Sequence, residues 1–395
     1  MGKVDGFHLM IVAKHFNIIQ DFINVQLVCK KYKETLMKFH YNPIPINFRT
    51  RKYFPNLETQ HLFSKKNERY KNGKIVKYKI LYPISEKKYI REKKKSNIAN
   101  CVVFKSENSI TNALNLDLEK NPNYFTSYGY ELFSHNTSCT NLTIPSNITA
   151  LGMCCFYRCE NLKSIKITGD VQVIPKHCFV FCQWLTHVEL PNTLYALRAD
   201  SFAFCDALKT IRLPDNLKVL AAKSFSHCTN LESIVIPSQV VSIPKNCFEN
   251  CKSLTSVILP PNLEKISKWA FKNSGLNEIE LPPTLTQLGI KCFSDCFYLS
   301  HISTSLEECR KTGVCTVPSK ISELKLKCFE CCNFSAFYIP SNVVVVEEKC
   351  FYCCDNMTSL TVEEGIMSID PSYTSGCNEL GDIVLLSKDV KMGSI

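Results

Sequence analysis

LKTIRLPDNLKVLAAKSFSHCTN, residues 208–230, runs directly into LESIVIPSQVVSIPKNCFENCKS, residues 231–253. The two stretches align position for position: Leu208 with Leu231, Ile211 with Ile234, Pro214 with Pro237, Phe225 with Phe248, Cys228 with Cys251. Working outward, the leading leucine recurs at Leu162, Leu185, Leu208, Leu231 and Leu254, a period of 23. It returns one residue early at Leu276, then at Leu299, Phe334, Met357 and Leu380, and a partial copy opens at Leu142. A fixed period of this length marks an array in which each copy is one supersecondary unit.

Inside a copy, Leu208, Ile211 and Leu213 alternate with polar residues as a short half-buried strand requires. Pro191, Pro214, Pro237, Pro260, Pro282 and Pro340 then end that strand, because proline lacks the amide hydrogen a parallel ladder needs. In KSFSHCTN (223–230), Phe225 and Cys228 stand at i,i+3, which predicts one short helical turn. A single copy cannot bury its own apolar side, so neighbours must stack. The expected fold is an α/β repeat solenoid, leucine-rich repeats of about 23 residues with short parallel strands and short helical turns. Its boundaries read as 139–395, after a small α-helical module over 1–45 and a basic linker or capping region with strands over 46–138. From Leu299 to Phe334 is 35 residues rather than 23. The extra segment, STSLEECRKTGV (303–314), is expected to bulge from one face as a contact loop.

The register L-x-x-I-x-L-P followed by A/C-F-x-x-C-x-x-L resembles the BspA-type leucine-rich repeat, over about residues 142–386. That resemblance implies adhesion or protein–protein binding and offers no catalytic residues to carry over. Outward strand positions are therefore the candidate partner surface: His187, Glu189, Thr210, Arg212, Glu278 and Glu280, each alternating with a buried Leu, Ile or Val.

Of the 23 cysteines, nine (Cys159, Cys182, Cys205, Cys228, Cys251, Cys296, Cys332, Cys354, Cys377) share one repeat position. Six more (Cys155, Cys178, Cys247, Cys292, Cys328, Cys350) stand four residues earlier. Ser201, Ser224, Ala270 and Ser274 take the same slots, so a small buryable side chain explains the columns better than disulfides or metal. Disulfides along a column would need Cβ atoms closer than the coil spacing. No cofactor or metal is expected. The sequons at Asn136, Asn141, Asn147, Asn333 and Asn356 matter only on the secretory route.

Residues 7–38 read as two amphipathic helices, with Asp21 as an N-cap. A terminal cap for the array is one reading. The other is a resemblance to the F-box, carried by Val12, Phe16, Asp21-Phe22 and the run Leu27-Val28-Cys29-Lys30-Lys31-Tyr32 with Leu36. It implies docking on the adaptor subunit of a cullin ubiquitin ligase through Val12, Phe16, Leu27, Val28, Tyr32 and Leu36, with the repeats choosing the substrate.

The net charge of +11 is local: residues 51–100 hold 15 Lys/Arg against 4 Asp/Glu, whereas 101–395 hold 25 against 29. KIVKYKILYPI (74–84) alternates as one or two strands would, and the basic run at 86–95 is a solvated face or a membrane contact. No nucleic-acid fold surrounds it, which argues against specific nucleic-acid binding. Lys14 and His15 interrupt the only apolar stretch near the start, so no signal peptide is read. The expected compartment is the cytoplasm, with the cell surface by an unconventional route as the alternative. No phosphate loop, G-x-S-x-G or H-E-x-x-H occurs, and the nine histidines share no motif spacing, so catalysis is not expected.

Overall fold

The computed structural model describes residues 16, 18–28, 35–64, 66–70, 75, 77–80, 102–103 and 125–386. The chain divides into two compact units, 1–130 and 131–395.

In the first unit, helix α1 (Ile19–Val28) is followed by 3-10 turns at Thr35–Lys38 and Arg51–Tyr53. Strand Thr59–Leu62 pairs in parallel with Lys77–Ile80, the latter falling inside the segment expected to form strands. Phe22, Leu36, Phe39, Ile44, Ile46, Phe54 and Leu57 make the core, with Phe16 packed against it. Buried Asn42 holds this core to the strand: its Nδ2 donates to the carbonyls of Ile44 and His61, and its Oδ1 accepts the His61 amide at 2.7 Å. Val102–Val103 pairs in parallel with Phe125–Ser127, where Val102 and Phe125 stand one repeat length apart.

The second unit is the solenoid. A typical coil carries a strand of three or four residues, a proline turn, a two-residue strand, and a run of turns. Gly169 and Gly365 stand in the turns of two coils without that proline, and one coil keeps only a bridge at Thr210. Strands stack only on the equivalent strand of the next coil, always in parallel, as Ser233–Val235 does on Ser256–Ile258. Proline does more than stop the strand: its carbonyl accepts the amide of the residue three on, as Pro214 does from Leu217 and Pro237 from Val240. Those third residues, Leu217 and Val240, are buried, so the turn also aims the next apolar side chain inward.

The C-F-x-x-C segment differs from the helical turn that its spacing predicts. Lys223 (φ 59°) and His227 (φ 61°) are left-handed, and the equivalent residues of the other coils repeat this, from Glu131 and His135 to Lys349 and Cys353. Alternate amides then leave the local turn and bond the next coil: Lys223 to the Lys245 carbonyl, Phe225 to Cys247, His227 to Glu249. The amides that follow Phe225 and His227, those of Ser226 and Cys228, close local turns onto the carbonyls of Lys223 and Phe225. A helix would satisfy its donors internally and leave neighbouring coils unjoined at this corner.

Two side-chain columns run through the interior beside the buried leucines, isoleucines and valines of the strands and turns. The rings of Phe133, Phe156, Phe179, Phe202, Phe225, Phe248, Phe271 and Phe293 stack at 5.0–5.7 Å between neighbours and within 12° of parallel. Burying one such ring stabilises by roughly 2–3 kcal/mol. Beside them runs the cysteine column. Cys228 Sγ donates to the Phe202 carbonyl at 3.1 Å, and Cys159, Cys182, Cys205, Cys251, Cys296, Cys332, Cys354 and Cys377 make the equivalent bond to the phenylalanine of the preceding coil. All cysteines among the described residues are free thiols.

Candidate strand-face site

The strand row presents one side chain inward and one outward at each step, so its outward slots form a continuous face. His187, Glu189, Thr210, Arg212 and Glu280 are exposed on this face, and Glu278 is half-buried on it. They are not one constellation. Lys166 bonds Glu189 at 2.6 Å and His187 approaches the same carboxylate at 3.2 Å, which holds Glu189 below the usual carboxylate range. Thr210 and Arg212 stand on the next coil, and Glu278 and Glu280 three coils beyond that.

What gathers residues here is a pair of irregularities in the repeat. The first is the coil from Leu254 to Leu276, one residue short. Gly275 makes the shortcut, with its amide on the Cys251 carbonyl at 3.1 Å. A Cβ at Gly275 would sit 2.1 Å from the Lys252 carbonyl oxygen, so only glycine fits so close an approach. After this coil the ladder opens: Ser256–Ile258 and Glu278–Glu280 lie side by side without pairing, each joined only to the strand on its far side. The row is also interrupted between His187–Glu189 and Thr210.

The second irregularity is the long coil after Leu299. Its extra residues form helix α2 (Leu306–Thr312) between strands His301–Ser303 and Val314–Thr316. Ser305 caps α2 through its hydroxyl, Gly313 ends it at φ 71°, and Glu307, Glu308, Arg310 and Lys311 suit the helix dipole at their respective ends. Buried Cys309 anchors α2, its Sγ 3.8 Å from that of Cys315. Arg310 then reaches back across the strand row and grips the Glu278 carboxylate with two hydrogen bonds, Nε to Oε2 at 2.9 Å and the terminal nitrogen to Oε1. This pairing holds the Glu278 carboxyl below its ordinary range.

Between the open ladder and α2 lies a groove of about 370 Å³, lined by Ile258, Leu259, Pro261, Glu280, Pro283 and Leu306 among others. Its lining is mixed: Ile258, Leu259, Leu281 and Leu306 stand beside Thr255, Ser256 and Thr304, with Glu280 as a carboxylate outside the Arg310–Glu278 clasp. Val235 and Ile258, beside each other in register, are 58% and 59% exposed. Neither was among the sequence-derived candidates. Their signal was there: both are aliphatic at an outward slot where the neighbouring coils carry Glu189, Arg212 and Glu280.

The fully buried column cysteines do not supply a reactive centre; half-buried Cys377 in the last coil differs, its thiol lowered by the hydrogen bond with Cys354. Burial pushes the thiols of Cys178, Cys205, Cys247 and Cys251 well up, and that of Cys228 up to about 12. A thiol held protonated and donating to a carbonyl is neither a nucleophile nor a metal ligand as it stands.

The F-box-like residues have a different placement. Val12, Tyr32 and the basic run 86–95 lie outside the described residues. Leu36 is a core residue at 2% exposure, and Phe16 packs edge-on against the Phe22 ring at 5.1 Å. Val28 ends α1, and Leu27 is 77% exposed.

Stacked parallel coils, an apolar spine and a face of variable outward residues define a repeat protein built as a scaffold for interaction or surface display. The family model described as the BspA type leucine rich repeat region (6 copies) matches residues 103–232, 173–300 and 302–394, and the chain belongs to that family. Its first match begins at the early parallel pair of Val102–Val103 and Phe125–Ser127, well before Leu142. Among solved structures, a leucine-rich repeat protein from Bacteroides ovatus is 23% identical, with 66% of this chain and 76% of that one covered and a TM-score of 0.49. A leucine rich cell surface protein from Faecalibacterium prausnitzii is 19% identical, covering 67% and 84%, with a TM-score of 0.40. The pneumococcal vaccine antigen PcpA is 14% identical, covering 83% and 78%, with a TM-score of 0.43. No curated protein matches the chain. No helix among the described residues is long and apolar enough to cross a membrane.

Proposed function

We propose that this chain is a non-catalytic scaffold that binds a protein partner through the strand face, centred on the groove beside α2. The observation that carries the reading is convergence: the two departures from the 23-residue register, the short coil ending at Leu276 and the insert bearing α2, border the same groove. Exposed Val235 and Ile258 next to it supply apolar surface that gains from being covered. The family's typical lack of catalysis and the protonated, buried thiols both favour binding over chemistry. The cysteine column donates only as reduced thiols, which supports a reducing compartment such as the cytoplasm.

The test is site-specific photo-crosslinking, with a photoreactive residue at position 258 and, as control, at Trp184, which is exposed off the strand row. A discrete crosslinked partner from position 258 alone supports the reading. Equal crosslinking from both positions, or from Trp184 alone, would refute it.

Exposed Leu27 favours a second reading, adaptor docking by the first unit. Recovery of a cullin-ligase adaptor by the full chain and its loss on Leu27→Asp would establish it; recovery by neither would remove it.

A further inference from the structure

The strand face carries a graded strip that says what kind of partner fits it. One outward slot on four consecutive coils holds Arg212, Val235, Ile258 and Glu280. The middle pair are exposed aliphatics in direct register. The charges at the two ends stand outside the hydrogen-bonded ion pairs of their neighbours, Glu280 acting on Arg310 only through its field. Glu189, one coil before Arg212, is held by Lys166 and His187, and Arg212 forms no ion pair or hydrogen bond among the described residues. At the other end Arg310 is held by Glu278, so Glu280 is the net negative charge of that trio.

Spacing decides which partner conformation matches. Hydrogen-bonded coils stack at roughly 4.8 Å and the unpaired step from Ile258 to Glu280 is no narrower, so Arg212 and Glu280, three steps apart, are separated by at least roughly 14 Å along the face. An extended peptide rises roughly 3.3 Å per residue and turns alternate side chains to one side, so its residues i and i+4 are roughly 13 Å apart. A helical segment sets same-face residues roughly 10 Å apart at i and i+7 or roughly 16 Å apart at i and i+11, to either side of that span. The aliphatic centre calls for an aliphatic at i+2.

We propose that this strip binds an extended segment of a partner protein in which an acidic, an aliphatic and a basic residue alternate with solvent-facing ones, in either chain direction. The basic residue lies against Glu280 at the mouth of the groove, the acidic one against Arg212, and the aliphatic one on Val235 and Ile258. This rests on the reading that the strand face is the binding face.

The experiment is selection from a displayed library of random peptides on the full-length chain, on Arg212→Glu, on Glu280→Arg, and on Val235→Asp/Ile258→Asp. Thermal unfolding confirms that each variant folds; all four positions are exposed. The full-length chain is expected to enrich acid-x-aliphatic-x-base peptides or their reverse. Arg212→Glu, with both ends acidic, is expected to shift the selection to two bases, and Glu280→Arg to two acids. Each single reversal should weaken a selected mixed-charge peptide by roughly fivefold. Peptides lost on Val235→Asp/Ile258→Asp but indifferent to both charge reversals would overturn this inference and leave the binding face intact. Enrichment untouched by any of the variants, or none at all, would overturn both.

Discussion

Cys228 donates its S–H to the Phe202 carbonyl at 3.1 Å, and that carbonyl closes no strand or helix ladder. The slot therefore asks for a side chain that is small, apolar enough for full burial, and still a donor. Cys228→Val keeps bulk and removes the donor; it is expected to cost about 1–2 kcal/mol in urea unfolding. Cys228→Ser, which keeps a donor, should cost less, as Ser274 occupies the equivalent slot on its own coil. Equal losses would mean that the bond contributes nothing. The two columns were legible from spacing alone, because burial of a small residue repeats with the coil. The left-handed residues were not. Lys223, Trp269 and Phe204 carry no side-chain signature of positive φ, and Phe225 and Cys228 at i,i+3 fit a helical turn equally well. Only the alternate amides bonding the next coil settle the matter, and that is a tertiary effect.

At the scale of elements, the short coil and the long one shape the groove, and each can be tested by itself. Gly275→Ala would place a methyl 2.1 Å from a backbone oxygen, so the coil must shift. It is expected to destabilise by about 2–3 kcal/mol, measured by chemical unfolding. A loss within error of zero would show that the coil has room to relax. Arg310→Ala removes the clasp on Glu278 without touching the core. Amide exchange in α2 is expected to quicken while the melting temperature holds, because exposed ion pairs contribute little to global stability. Unchanged exchange would make Cys309 the sole anchor. The insert was visible as a length anomaly and its contact role was expected, but its helix was not, since seven residues are too few for a periodic pattern to declare itself. In the first unit, amphipathic spacing picked out Phe16 and Leu36 correctly as apolar. It could not tell whether they face a partner or their own core, and both pack inward here.

For the whole solenoid, the buried thiols set a pH limit. Cysteine in an unfolded chain ionises near roughly pH 8.5. In the folded chain burial pushes the thiols of Cys205, Cys247 and Cys251 well above that, and that of Cys228 up to about 12. Between those limits the folded state holds more protons than the unfolded one, so stability falls as pH rises. It is fully present below about pH 8.5 and lost above it, at up to about 1.4 kcal/mol per pH unit for each such thiol. Urea midpoints under reducing conditions are expected to be flat from neutral pH to about 8 and to drop steeply beyond. A flat profile up to pH 10 would mean that the thiols are not buried as neutral groups.

In the proposed function, irregularities in an otherwise regular array make the binding site. Ile302 and Cys315 are both fully buried, and pair respectively with Ile279 before the insert and Phe337 after it. Removing residues 303–315 lets Ile302 alone fill that inward slot, so the array should close over the excision. The decisive measurement is crosslinking from position 258 in the full-length chain and in this excised chain, with thermal unfolding to show that both are folded. Loss of the crosslinked partner from a folded, excised chain is expected if the groove makes the site. The same partner captured with the same yield would contradict it, and would make the regular strand face sufficient without the groove.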